Sequence, residues 1–276
     1  MDTQALTTPS QTHTLSLTEV IQRLEQKPIV DAILLMGSTG NASLTPHSDY
    51  DILLVVDEMP VKLFSVLTTI DGHVGDVYFV AASEVDQLIT RNEVIDASEL
   101  AGKLVKWVVT GTISADKSGR LKRLKEKSEK SDTLQITENQ IYSTWFALNY
   151  NYRQNLRYFR SQKPLYLTTL TFRLSWGVFE CFTEYFVLRD MEWKGEKDAI
   201  EWLHTHAPAY LELVQACLLE NNINKKFPLY EKVLTATIPD EMGIWKEASV
   251  GVTLQQPYSE EAIKAALRFW DELVAV

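Results

Sequence analysis

The sequence is short of cysteine, of glycine and proline, and of long apolar runs, and each shortage closes off a class of protein. It has two cysteines in 276 residues, Cys181 and Cys217. Both lie in apolar stretches, so no disulfide framework is indicated. No Cys/His spacing resembles a zinc site. No apolar run reaches membrane-spanning length. The opening MDTQALTTPSQTHT lacks the basic-then-apolar pattern of a secretory signal, so a cytoplasmic location and a frayed start of about a dozen residues are expected. With 45% hydrophobic residues, 11 Gly and 9 Pro, the composition excludes a mostly disordered chain. Positive charge is also in deficit: 27 Lys and Arg stand against 37 Asp and Glu, a net charge of −10. A protein that grips a long phosphate backbone carries a basic surface. The expected partners are therefore small molecules, a cationic one among them, or another protein. Long nucleic acid and membrane are not expected, and no pattern encodes an oligomeric state.

What is present divides in two. Ser16-Leu17-Thr18-Glu19 has the form of a capping box ahead of an amphipathic helix that ends near Lys27-Pro28. Ile29 to Met36 reads as a buried strand bounded by Pro28 and Gly37. Residues 39–48 form a polar loop. Asp51 to Val56 is a second buried strand and Val74 to Ala81 a third. Residues 83–92 and 96–109 read as helices, and Gly111 to Ser114 as a short edge strand closed by a turn at 116–119. Residues 117–132, KSGRLKRLKEKSEKSD, are highly charged and read as a solvated helix or linker, or else as a basic patch. From Thr137 the spacing turns helical, with Trp145, Leu148, Tyr152, Leu156 and Phe159 recurring every three or four residues. Further helices are expected at 165–189, 197–206, 208–221 and 259–275. The fold class is therefore α+β: a small mixed-sheet domain over 1–130, then a helical bundle over 131–276.

Chemistry concentrates in residues 31–56, DAILLMGSTGNASLTPHSDYDILLVV. A buried strand ends in Gly37-Ser38. After a ten-residue loop, Asp49-Tyr50-Asp51 opens a second buried strand. Side chains alternate along a strand, so Asp49 and Asp51 share a face. Two ionised carboxylates so close repel each other. A hard cation such as Mg²⁺, which takes oxygen ligands, waters and substrate phosphates, would relieve that repulsion. Gly37 allows close approach to the backbone. A helix starting there would offer N–H groups, with the Ser38 hydroxyl, to phosphate oxygens.

This order of Gly-Ser, spacer, Asp-x-Asp and apolar strand resembles the signature of the DNA polymerase β-like nucleotidyltransferase superfamily. Within it, the small-molecule branch that includes aminoglycoside nucleotidyltransferases is most similar. The resemblance spans roughly residues 30–80 and rests on Gly37, Ser38, Ser48, Asp49 and Asp51. It implies a third carboxylate on the neighbouring strand, and Asp76 matches. Trp193-Lys194-Gly195-Glu196-Lys197 resembles a Gly-Glu-Lys segment of such bundles. This implies Lys197 and Lys194 as triphosphate contacts, although ordinary surface lysines at a helix start fit the same residues. The resemblance further implies two Mg²⁺ ions on Asp49, Asp51 and Asp76, with Asp76 either ligand or base. The donor would be a nucleoside triphosphate, with ATP expected, and the acceptor a small hydroxylated molecule. Transfer to a protein side chain, and nucleotide binding without turnover, are the alternatives.

Plainer expectations attach to the remaining residues. His47 and His73 read as exposed loop histidines beside the site. Asp71-Gly72 reads as a structural turn. His204 and His206 complement a helix dipole. Phe172, Trp176, Phe179 and Phe186 continue the aromatic series of the bundle and read as core. Asn41-Ala42-Ser43 matches a glycosylation sequon that the expected compartment leaves unused.

Overall fold

The computed structural model describes residues 12–40, 44–45, 47–58, 63–97, 99–130, 134–245, 249–251 and 259–274. The expected frayed start and the sequon at 41–43 lie outside these. The chain divides into two compact units, Met1–Gln135 and Ile136–Val276. The first holds a mixed sheet and the second is helical, so the fold is α+β. Among the described residues no helix is long and apolar enough to cross a membrane.

The first unit runs α1 (Leu17–Glu25), β1 (Val30–Leu35), the single turn α2 (Gly37–Gly40), β2 (Tyr50–Val56), β3 (Leu63–Ile70) and β4 (His73–Ala81). It continues with α3 (Ala82–Thr90), β5 (Ile95–Asp96), α4 (Leu100–Thr110), β6 (Thr112–Asp116), α5 (Arg120–Lys130) and β7 (Leu134–Gln135). The capping box forms in full. The Ser16 hydroxyl accepts from Glu19 N, and the Glu19 carboxylate accepts from Ser16 N at 2.9 Å. Five strands make one sheet in the order β3-β4-β2-β1-β6. Within this sheet, among the described residues, β2 and β4 are the parallel pair and the other pairs are antiparallel.

Strands β1 and β2 are covered on both faces, as near-continuous apolar runs require. Ala32, Leu34, Leu53 and Val55 pack with Val85, Leu104, Val108, Leu121 and Leu124 of α3, α4 and α5. Ile33, Ile52, Leu54 and Val56 pack on the other side with Val20 of α1. Strands β3, β5 and β7 differ from the sequence reading. Strand β3, not anticipated, is joined to β4 by Asp71-Gly72, both at positive φ as a two-residue hairpin turn requires. Within the charged stretch 117–132, α5 (Arg120–Lys130) is the solvated helix that the sequence reading offered. Leu121 is 0% and Leu124 1% exposed, so its two apolar residues anchor an otherwise solvated helix. The short parallel pair β5–β7 ties residues 134–135 to this unit.

The second unit contains α6 (Glu138–Ser161), α7 (Pro164–Val187), α8 (Glu196–His206), α9 (Pro208–Leu219), α10 (Ile223–Thr237) and α11 (Glu260–Val274). Leu170, Leu174, Val178 and Cys181 place one stripe of α7 in the core, against Leu148 of α6 and Phe227, Tyr230 and Leu234 of α10. Helix α10 was not anticipated, because Pro228 lies inside it. The proline removes one ladder bond. Burial of Phe227 and Tyr230, 1% and 0% exposed, outweighs that loss. Phe186 is core as expected, whereas Phe172, Trp176 and Phe179 are exposed on α7. Both cysteines are free and buried.

Candidate active site

The site grows from the places where β1 ends and β2 and β4 begin. Asp51 lies two residues before Leu53, on the sheet face that α3–α5 cover further along. It is the direct register partner of Asp76 across the parallel β2–β4 pair. Parallel partners project to the same face, so the backbone ladder sets these two carboxylates side by side. Asp49, just ahead of β2, is exposed; Asp51 and Asp76 are half-buried.

The loop between β1 and β2 is fastened by its own polar atoms. Met36 N donates to Asp51 O at 2.9 Å. The Thr39 hydroxyl donates to Asp49 O at 3.3 Å and accepts from Asp51 N at 3.1 Å. Thr112 Oγ1 donates to Gly40 O at 2.5 Å and pins the far end of the α2 turn to β6. Gly37 sits at φ +51°, and a Cβ there would lie 2.9 Å from Asp51 Oδ2. The glycine is thus required twice, by its backbone conformation and by the carboxylate it faces. The helix expected after Gly37-Ser38 is only the four residues of α2.

Electrostatics single out Asp51. Burial, then the charges of Asp49 and Asp76, push its carboxyl up to about 6. Tyr78, two residues after Asp76 on the same face, donates from its hydroxyl to Asp76 Oδ2 at 2.8 Å. Burial and that bond push the phenol up to about 12, so it remains a neutral donor. Its ring lies 4.8 Å from that of Trp107 on α4. Asp76 Oδ1 is buried with no hydrogen-bond partner. Among the described residues no lysine, arginine or histidine forms an ion pair with Asp49, Asp51 or Asp76. Nor do three acidic, histidine or cysteine side chains already converge as a metal cage among them. The donor set is nonetheless all hard oxygen, and a buried carboxylate oxygen without a partner is what a divalent cation satisfies. The residues fit Mg²⁺.

The other sequence candidates fall in several places. Ser38 is half-buried on the α2 turn. The Ser48 hydroxyl is engaged within its loop, accepting from Thr45 N at 2.9 Å. Its carbonyl lies 2.7 Å from His73 Nδ1, and the His73 ring lies 4.9 Å from that of Tyr50. His73 is therefore the first residue of β4 and a brace for the loop, and it is not a free loop histidine. Lys194 and Lys197 belong to the second unit. Lys197 is exposed in the first turn of α8, and Lys194 lies 4.0 Å from Glu192. Thr39 and Tyr78 were not singled out from sequence. A threonine directly after Gly-Ser and a tyrosine two positions from an acid in a strand were the available signals.

No protein-family model matches the chain, and no curated protein matches it. Among solved structures, it is similar to a nucleotidyltransferase-like protein from Exiguobacterium sibiricum, at 15% identity and a TM-score of 0.41. The match covers 80% of this chain and 73% of that one.

Proposed function

We propose that the first unit catalyses metal-dependent nucleotidyl transfer from a nucleoside triphosphate, with ATP the expected donor, to a hydroxyl of a small molecule. The observation that carries this reading is the crowding of Asp51 by Asp49 and Asp76, together with the partnerless Asp76 Oδ1. An apolar sheet has no use for three mutually repelling carboxylates at its end. Their charge is useful where a cation and a polyphosphate meet. Asp49, Asp51 and Asp76 would hold the Mg²⁺ ions, two in number, which when bound supply positive charge to the attacking and leaving oxygens.

The chain's own groups do the rest. Gly37 keeps the space beside Asp51 open, and the Ser38 hydroxyl is available to a phosphate oxygen. In the reaction the acceptor oxygen bonds to the α-phosphorus, the bond from that phosphorus to the bridging oxygen breaks, and pyrophosphate leaves. The acceptor's proton passes to a carboxylate. Asp76 suits that role as the alternative to holding a metal ion, because Tyr78 leaves one of its oxygens, Oδ1, for one task or the other. The Gly-Ser and Asp-x-Asp spacing favours the small-molecule branch of the superfamily, with aminoglycoside-like acceptors among the candidates. Two buried free thiols fit a reducing, cytoplasmic setting.

The test is pyrophosphate release from labelled triphosphates with Mg²⁺ across a panel of hydroxylated acceptors. Asp51→Asn should lower turnover by about 10³-fold or more, the scale for removing a main electrostatic stabiliser. Unchanged turnover would remove the proposed role. Nucleotide-modified peptides in a treated lysate would move the acceptor from small molecule to protein.

A further inference from the structure

The second unit contains a cavity of about 380 Å³, within the range of about 300–1,000 Å³ usual for ligand pockets. Asn151 and Asn155 line it from α6; Phe172, Arg173, Trp176 and Glu180 line it from α7. Its polar groups form one chain. Arg173 Nε donates to Asn155 Oδ1 at 2.7 Å, and its Nη2 to Asn151 Oδ1 at 3.2 Å. Asn151 Nδ2 donates to both Glu180 oxygens at 2.9 Å. These bonds fix the orientation of every member, as the ligand-touching groups of a binding site need.

A brace between two helices would account for the hydrogen bonds but not for what surrounds them. Trp176 is 67% and Phe172 76% exposed beside the polar row, four residues apart on one face of α7. Behind Gly177 the Tyr230 ring comes so close that an added Cβ would meet it at 3.1 Å. The cavity thus combines preset polar groups with two aromatic faces at its mouth.

The chemistry of the lining selects the ligand. Arg173 only donates, the Glu180 carboxylate accepts, and the two asparagines do both. A hydroxyl group, which donates and accepts at once, matches such a mixed set better than an acceptor-only phosphate or a donor-only ammonium. One guanidinium and one carboxylate also leave the lining without net charge, so neither a strong anion nor a strong cation is favoured. Exposed aromatic rings suit the apolar face of a flat ring. We propose that this cavity binds a small uncharged polyhydroxylated ring, of monosaccharide or cyclitol type. The site lies wholly within the second unit and requires nothing of Asp51 or of nucleotide.

The experiment is ligand-observed saturation-transfer NMR on the full chain, without nucleotide or Mg²⁺, using glucose, galactose, mannose and myo-inositol as probes. Glucose 1-phosphate and glucosamine serve as charged comparators. At least one neutral probe should bind saturably and quench tryptophan fluorescence. Trp176→Ala removes an exposed side chain, and its melting temperature should match the parent's. Its affinity for the probe should fall at least about tenfold, the scale of losing an aromatic anchor. Arg173→Lys, which keeps the charge but loses the fork, should weaken binding as well. The proposal is overturned if no neutral probe binds, if Trp176→Ala binds as the parent does, or if a charged comparator binds much more tightly. It is overturned too if sedimentation shows a dimer that Trp176→Ala dissociates, since that face would then be an interface. Asp51→Asn should leave probe binding intact, so failure here and failure of nucleotidyl transfer are read separately.

Discussion

Asp31 and Asp51 open two antiparallel strands and so sit at opposite ends of the same pair, yet the protein treats their charges in opposite ways. Asp31 is 6% exposed and fully engaged. It accepts from Ser118 N at 3.1 Å, Ser118 Oγ at 2.6 Å and Arg120 Nη1 at 3.0 Å. Arg120 continues to Asp86 on α3 at 3.0 Å. Burial works against the Asp31 charge, but the Ser118 and Arg120 bonds outweigh it and hold the carboxyl below its ordinary range. Asp51 keeps more of its surface exposed, and among the described residues it has no cationic partner, only two more acids. One end of the sheet shows that this chain can neutralise a buried carboxylate with its own residues. The other end leaves the neutralising to something that arrives. The paired carboxylate is structural, and the unpaired one is where the proposed function is placed.

The largest effect on stability should come from breaking the paired end. Asp31→Ala leaves Arg120 partly buried beside fewer partners and should destabilise the first unit by roughly 3 kcal/mol, the lower end for a broken buried pair. Urea denaturation followed by circular dichroism measures it, and a loss below half that figure would mean the pair is solvated in practice. Gly37→Ala comes next. A left-handed φ costs an L-residue about 1–2 kcal/mol, and the new methyl meets Asp51. Turnover should fall further than stability, because the methyl occupies the space next to the carboxylates. Equal activity in the variant would show that this space is not used.

The pH dependence is the most diagnostic effect. Asp51 titrates near 6 when folded and near 4 when unfolded, so the folded state binds the extra proton between those values. Its contribution to stability is full below about pH 4 and is lost as pH rises through 6. Asp31 runs the other way: its contribution is present above its ordinary range and is lost as pH falls. Asp51→Asn should therefore match the wild type in melting temperature near pH 4 and exceed it by pH 7–8. Mg²⁺ at pH 8 should narrow the gap by stabilising only the wild type. A gap indifferent to both pH and Mg²⁺ would contradict the unpaired state of Asp51.

Much of this was legible in the sequence where one physical signal dominated. The apolar run of β2 announced a strand buried on both faces, and Asp49-Tyr50-Asp51 at its start announced acids on one face. Asp76 could be matched as a third carboxylate, but only the parallel register makes it the partner of Asp51. The misses have identifiable causes. Strand β3 is an edge strand with Val66 and Leu67 exposed, so it lacks the buried-strand pattern, although Asp71-Gly72 is a hairpin signal. Helix α10 was hidden by Pro228, whose local cost tertiary burial overrides. Phe172 and Trp176 keep a helical period yet face outward, because spacing identifies a face without saying what covers it. Ser48 and His73 hold each other through a backbone carbonyl, a contact between residues 25 apart in sequence that no local pattern encodes.

The parallel pairing of β2 with β4 also bears on how this site tolerates change. Asp51 and Asp76 are spaced by a backbone ladder of about 4.8 Å, and loop packing does not set that distance. The connection between β2 and β3 can therefore lengthen or shorten without moving either acid. A single residue inserted within β4 ahead of Asp76 would instead turn that carboxylate to the opposite face of the sheet. Variation in length should accumulate on one side of this register and be forbidden on the other.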